Sequence, residues 1–305
     1  MTGLSPPDTH DTQSPSHRPI RLLVLDIDGT VSNSHHEIAA GTVAAVARVR
    51  SAGIGVVLAS GRRYRDILQV AAALGIDTPL ITASGALVKR PSDHVTIFRA
   101  AFEPPALAEV LGRIVARGLE PILYTDNYSD GFDFHCRRLP DPASPSGIPG
   151  LAEYLVRNQS LARLQPNLDR SPPEGVFAGF TMGPRTTMLE LEAELNAACP
   201  GRLSLHVIRS PRYLDWMCEI APAAVNKWTG VMSVAAGLGI EAEAICAVGD
   251  DVNDLPMICA AGLGIAMGNA TAEVLAAADW VVAGHDDGGI EEVAGIILRP
   301  NESLT

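Results

Sequence analysis

Five short apolar runs, each leading into a polar or glycine-bearing stretch, constrain this chain more than any other feature. In the first part they are "IRLLVLD" (20–26), "IGVVLAS" (54–60) and "PLITAS" (79–84). In the last part they are "AICAVGD" (244–250) and "LGIAM" (263–267), with "DWVV" (279–282) as a shorter sixth. Strands that are apolar throughout, rather than alternating, are buried on both faces, which is the habit of parallel sheets. Helical stretches separate them: 37–53, 63–75, 226–239, 252–262 and 270–278. Strand and helix alternating at this spacing predicts βαβ units and a doubly covered parallel sheet.

The middle is different. From about residue 86 to 211 prolines and turn residues cluster, as in "RLPDPASPSGIPG" (138–150) and "DRSPPEG" (169–175), while strand-like "GVFAGFTMG" (175–183) and helix-like "RTTMLELEAELNAA" (185–198) still alternate. The reading is an α/β chain with a Rossmann-like parallel-sheet core, built from residues 20–86 and 213–305, and a smaller α/β unit inserted over 87–212. Residues 1–19, "MTGLSPPDTHDTQSPSHRP", lack an apolar run and read as a disordered tail rather than a signal peptide.

Composition removes several function classes. A net charge of −12 argues against a nucleic-acid or anionic-membrane partner. No apolar run reaches the roughly 18–20 residues of a membrane span. The five cysteines are scattered and form no C-x-x-C pair. That pattern predicts a reducing, cytoplasmic setting without a disulfide framework or zinc site.

Four stretches fall at the carboxyl ends of predicted strands or at the start of a helix, the edge where open parallel sheets bind ligands. In Asp26-Ile27-Asp28-Gly29-Thr30 the two aspartates are two apart, so both can face the same side; an ordinary Asp-Gly turn is the plainer reading. Ser60-Gly61-Arg62 offers a hydroxyl and free N–H groups for an anion, or simply a helix cap. Lys227 opens a helix, where the dipole already makes positive charge unfavourable; it is either a surface lysine or one placed to neutralise an anion. In "GDDVNDLPMI" (249–258), Asp250, Asp251, Asn253 and Asp254 exceed what capping needs. Asp26, Asp28 and Asp250 converging would require a cation, and oxygen-rich clusters suit Mg²⁺.

Taken in order, "DIDGT" (26–30), "SGR" (60–62), "NK" (226–227) and "GDDVND" (249–254) followed by "AMGNA" (266–270) resemble the haloacid dehalogenase superfamily of phosphohydrolases, and within it the Cof-type branch (class IIB). The resemblance covers about 20–86 and 213–295; the insert matches the family's α/β cap by length and position. It implies a Mg²⁺-dependent phosphatase acting on small phosphorylated metabolites, such as sugar phosphates or phosphorylated cofactors, through an aspartyl-phosphate. Asp26 would be the nucleophile and Asp28 the general acid and base. Mg²⁺ would be held by Asp26, Asp250 and the backbone carbonyl of Asp28. Ser60, Gly61, Lys227, Asn253 and the N–H of Ile27 would bind the phosphoryl group, and Asp254 would orient Lys227 or a metal-bound water. The alternatives are a phosphotransferase or phosphomutase on the same fold, or a non-catalytic module that binds Mg²⁺ and phosphate. Two departures stand out: Ser84-Gly85 where the family usually has Asn-Gly, and Lys227-Trp228 where it usually has Lys-Gly.

Other motifs carry less. "GLGIAMG" (262–268) has the wrong spacing for a dinucleotide loop, and no G-x-x-x-x-G-K-[ST] occurs. His35-His36 reads as a solvated pair, and "GHDDGG" (284–289) as the cap of the last helix.

Overall fold

Side chains along the first strand point alternately to two buried faces, and everything else in the main sheet follows from covering both. The structure, a computed structural model, describes residues 19–140, 147–210 and 212–299. The expected disordered tail lies outside the described residues except for Pro19. In chain order the first elements are β1 (Leu22–Leu25), α1 (Ala40–Ser51), β2 (Gly55–Leu58), α2 (Tyr64–Ala73), β3 (Leu80–Thr82), β4 (Leu87–Lys89) and β5 (Thr96–Arg99). The middle holds α3 (Pro104–Ala116), β6 (Ile122–Thr125), β7 (Phe134–Cys136), α4 (Pro149–Arg157), β8 (Ala162–Leu164), β9 (Val176–Gly183), α5 (Arg185–Ala198), β10 (Leu203–Arg209) and β11 (Trp216–Pro222). The last part holds α6 (Lys227–Leu238), β12 (Ile245–Gly249), α7 (Leu255–Ala260), β13 (Leu263–Ala266), α8 (Ala272–Ala277), β14 (Trp280–Val281) and α9 (Gly289–Ile297).

The core sheet has the order β14-β13-β12-β1-β2, all parallel. Leu22, Val24, Val57, Ile245 and Ala247 face α6 and α7 through Val231, Val234 and Met257. Leu23, Leu25, Val56, Leu58 and Val248 face the other way, toward Val46, Val49, Ile67, Ile290 and Val293 of α1, α2 and α9. Burial on both faces explains the uninterrupted apolar runs.

The register positions the site. Leu25 lies opposite Val248 on one side and Leu58 on the other. One or two residues further along, Asp26, Ser60 and Asp250 therefore leave the sheet at the same edge. The Asp26 N–H donates to the Val248 carbonyl at 3.0 Å, which carries the ladder up to the first carboxylate.

"PLITAS" meets the end of β2 through a parallel Ala59–Ile81 bridge, with the Ser60 N–H donating to the Ile81 carbonyl at 3.0 Å, and on its other side β3 pairs antiparallel with β4, which pairs with β5. Strand pairing runs across both ends of the expected 87–212 insert. The second, six-stranded sheet has the order β10-β11-β9-β6-β7-β8, so β11, expected in the core, belongs with the middle of the chain. Within 87–99, expected in the insert, β4 pairs with β3 and β5 with β4. The reason is hydrogen bonding: β10 and β11 form one antiparallel hairpin and cannot be divided between sheets. On the six-stranded sheet, α3 and α5 pack through Val110, Ile114, Met188, Leu191 and Leu195.

None of the five cysteines is in a disulfide. Among the described residues no helix is long and apolar enough to cross a membrane.

Candidate active site

Asp26 ends β1 almost fully buried, and its Oδ1 accepts a hydrogen bond from Lys227 Nζ at 2.6 Å. Lys227 opens α6 and is 1% exposed, so the surface-lysine reading does not hold. The Asn226 side chain caps this helix by accepting the Thr229 N–H, which fixes where Lys227 begins. The same Nζ donates to Asp254 Oδ1 at 2.6 Å. Asp254 Oδ2 accepts the N–H groups of Asp250 and Asp251 at 3.0 and 3.1 Å. Asp254 therefore spends both oxygens on positioning, one on Lys227 and one on the turn that carries Asp250.

Asp250 accepts the Thr30 hydroxyl at 3.0 Å. Gly29 makes this approach possible. Its φ is +83°, and a Cβ there would lie 2.2 Å from Asp250 Oδ2. Asp26, Asp250 and Asp254 each place a carboxylate oxygen within 4.8 Å of the others. Burial first, then the neighbouring carboxylates, raise the pKa of Asp26 despite Lys227, and burial and Asp26 do the same to Asp250. For Lys227 burial works downward, but Asp254 and Asp26 outweigh it and hold the ammonium charged. The acidic cluster thus has more negative charge than one lysine neutralises. Its all-oxygen donor set fits a divalent cation.

Asp28 stands apart from that trio. Its carboxylate is held by the Arg62 guanidinium, with Nε 2.7 Å from Oδ2 and a terminal nitrogen 2.5 Å from Oδ1. Burial would raise its pKa, but the Arg62 hydrogen bonds and charge, helped by Arg212, bring it below the ordinary carboxylate value. Ser60 is buried and its Oγ accepts the Arg62 N–H at 3.1 Å. Ile27 buries its side chain in the core.

These groups open into a cavity of about 570 Å³ lined by Asp26, Asp28, Ser60, Gly61, Lys227, Asp250 and Asn253. Ile27 and Asp254 stand behind that lining. The other side is closed by Tyr124, Arg209 and Glu219 of the six-stranded sheet, Tyr154 and Arg157 of α4, and Arg212 from the loop between β10 and β11. Sequence reasoning gave no role to Arg62 or to any of these six. "SGR" held the signal for Arg62; the others carry none, because they meet the site only through the placement of the second sheet.

The outlying motifs also resolve. Ser84 donates to Glu219 Oε2 at 2.7 Å, so this departure ties the turn after β3 to β11. Burial raises the Glu219 pKa against that hydrogen bond. His35 and His36 are both exposed, and His36 also lines the cavity. "GHDDGG" caps the last helix with Gly288 at the cap position, and its Asp286 accepts the Ser34 N–H at 2.9 Å.

The model of the haloacid dehalogenase-like hydrolase family matches residues 23–293, nearly the whole of this architecture. The chain belongs to that family. It is 29% identical over 276 residues to the stress response protein YhaX of Bacillus subtilis, covering 88% of this chain and 90% of that protein. It is 25% identical to the phosphatase YwpJ of the same organism, covering 92% and 100%. The HMP-PP phosphatase of Serratia proteamaculans is 26% identical, with coverage of 82% and 84%. Among solved structures, a haloacid dehalogenase-like hydrolase from Bacteroides thetaiotaomicron superposes with a TM-score of 0.73 at 24% identity, covering 91% of this chain and 99% of that one. At that identity the superposition speaks to the fold of this hydrolase.

Proposed function

We propose that this hydrolase is a Mg²⁺-dependent phosphatase of small phosphorylated metabolites. The observation that carries the reading is the convergence of Asp26, Asp250 and Lys227 at one sheet edge, facing a cavity large enough for a metabolite. Relatives named for HMP-PP and, in Methanoculleus marisnigri, for phosphoglycolate support the substrate class.

In this reading Asp26 attacks phosphorus with the oxygen that Lys227 does not hold. The ester bond breaks and an aspartyl-phosphate forms. Asp28 gives a proton to the departing alcohol oxygen and then takes one from the water that attacks the aspartyl-phosphate, whose bond from phosphorus to the Asp26 oxygen breaks to release phosphate and restore the carboxylate. Arg62 favours the ionised form of Asp28, the form needed for that second step. Lys227 keeps Asp26 in place, and Ser60, Gly61, Asn253 and the Ile27 N–H bind phosphoryl oxygens. Asp26, Asp250 and the Asp28 carbonyl would hold Mg²⁺. When bound, the ion neutralises phosphoryl charge. Asp254 positions both Lys227 and the Asp250 turn. The domain division that best respects the strand pairing is a cap over about 100–222, with the core on either side.

The test is phosphate release from a panel of phosphorylated metabolites by the full chain and by Asp26→Asn, with Mg²⁺ and with chelator. Turnover by the intact chain only, and only with metal, is the expected result. Steady turnover by deamidation-free Asp26→Asn would overturn the nucleophile assignment.

A further inference from the structure

Six cationic side chains line the cavity: Arg62, Arg63, Arg157, Arg209, Arg212 and Lys227. Four have acidic partners. Lys227 is bound by Asp26 and Asp254, Arg62 by Asp28, Arg63 by Asp66 and Arg157 by Glu153. Arg209 and Arg212 have no ion-pair partner among the described residues. Other arginines, such as Arg99 and Arg163, also lack an ion pair, but among the described residues Arg209 and Arg212 are the two that line the cavity without one.

Both belong to the β10–β11 hairpin, and that hairpin is fastened to the rest of the cap-side wall. Arg209 is the last residue of β10, paired with Trp216. Beyond it, Asp215 adopts a φ of +75° and its carbonyl accepts the Ser210 N–H at 3.2 Å. Its carboxylate accepts the Gly150 N–H of α4 at 3.0 Å. Gly150 is needed for that approach, since a Cβ there would lie 1.8 Å from the Leu214 carbonyl oxygen. Tyr213 packs edge-on to Tyr154 at 5.5 Å between ring centres, and its hydroxyl accepts from Asn158 at 3.2 Å. The residues flanking the two arginines, Ser210 on one side and Tyr213 to Asp215 on the other, are thus held before any ligand arrives, which lowers the cost of binding one.

Resting on the phosphatase reading above, we propose that the preferred substrates carry a second anionic group, a carboxylate or another phosphate, on the alcohol that leaves, and that Arg209 and Arg212 recognise it. Guanidinium groups suit both anions because their planar donors match paired oxygens. Of the acidic side chains facing the cavity, Asp28 feels the Arg212 charge but is itself held by Arg62. Glu219 is turned to Ser84, and Asp66 is taken by Arg63. The reacting phosphoryl group would lie at the sheet edge with Asp26, and the second anion at the cap-side wall.

The experiment uses the full chain and two matched pairs: glycerol 3-phosphate with 3-phosphoglycerate, and fructose 1-phosphate with fructose 1,6-bisphosphate. A charge-assisted contact predicts a kcat/KM ratio of about ten- to a hundredfold in favour of the acidic member of at least one pair. The pair that shows it tells whether a carboxylate or a phosphate is read. Raising salt from about 50 to about 500 mM should shrink the preference. In the Arg209→Gln/Arg212→Gln double variant the ratio should fall toward one, and the Arg209→Lys/Arg212→Lys variant should keep part of it. The ratio carries the result, because a folding defect lowers both members of a pair alike. A ratio near one in the unaltered chain, or one that survives the double Gln variant, overturns the proposal. Calorimetric binding of the same four compounds to Asp26→Asn reads the preference without turnover. Absent turnover with a retained preference would therefore count against the phosphatase reading and not against this one.

Discussion

The Arg62 guanidinium grips both carboxylate oxygens of Asp28, at 2.7 and 2.5 Å, in a nearly buried fork. The pair holds Asp28 ionised at the mouth of the cavity while Asp26, two residues earlier, is pushed the other way by burial and carboxylate neighbours. Two aspartates in one short stretch thus have opposed acidities. The fork suits the step in which Asp28 takes a proton from water, and Arg62 has to loosen its hold before Asp28 can carry a proton to the leaving alcohol.

Removing the fork should move the Asp28 limb of the pH–rate profile. Arg62→Gln takes away the group that holds the carboxyl low, so that limb shifts to higher pH. The rate should fall by about tenfold to a hundredfold, the scale of a charged hydrogen bond. Arg62→Lys should restore part of both. An unmoved profile in Arg62→Gln, measured as kcat/KM against pH, would show that Arg62 is only structural.

Lys227→Met should destabilise the fold as well as stop turnover. It leaves Asp26 and Asp254 buried without their shared cation, and breaking a buried pair this way costs about 3–5 kcal/mol. Denaturant melts compared with the unaltered chain measure the loss. Adding Asp26→Asn to Lys227→Met should recover part of that stability without recovering activity.

Metal-free protein should lose stability as pH rises. Asp26 and Asp250 have folded pKa values above those of the unfolded chain. The folded state therefore holds more protons, and the contribution of these groups is fully present below about pH 4 and fades as pH climbs through the raised values. His135 and His206, lowered by burial, work in the opposite sense around pH 6. Thermal melts in chelator should fall between about pH 6.5 and pH 8.5, and less steeply in Asp250→Asn. Mg²⁺ at about a hundred times its Kd adds roughly 2.7 kcal/mol, which raises Tm by several degrees. A Tm in Mg²⁺ equal to that in chelator at the higher pH would count against the metal site.

Gly29→Ala should preserve the fold and damage the metal response. The positive φ costs about 1–2 kcal/mol for a residue with a Cβ, and that Cβ would meet Asp250 Oδ2 at 2.2 Å. Asp250 must move, so the activity curve against Mg²⁺ concentration should shift at least tenfold to higher metal, with only a modest drop in Tm. An unchanged metal curve would separate Asp250 from cation binding.

The apolar runs around Leu22–Leu25, Gly55–Leu58 and Ile245–Gly249 were legible because strands buried on both faces can tolerate little else. Once they pair in register, Asp26, Ser60 and Asp250 have to meet, so the acidic half of the site was determined by local pattern and strand order. Lys227 was legible as an anomaly at a helix start, although its burial between Asp26 and Asp254 was not. Glu219, Arg209 and Arg212 could not be read at all. They lie on a hairpin whose own periodicity concerns only its sheet, and nothing local says that this sheet closes over the edge of another. The same cause hid the pairing across residue 212: the stretch between β10 and β11 looked like a loop between units, but seven residue pairs of antiparallel register join them. Local sequence fixes which strands and helices form through side-chain burial and backbone preference. The relation between the two sheets depends on contacts between residues far apart in the chain, such as Arg63 with Asn158 and Ser84 with Glu219, and those exist only in the folded molecule.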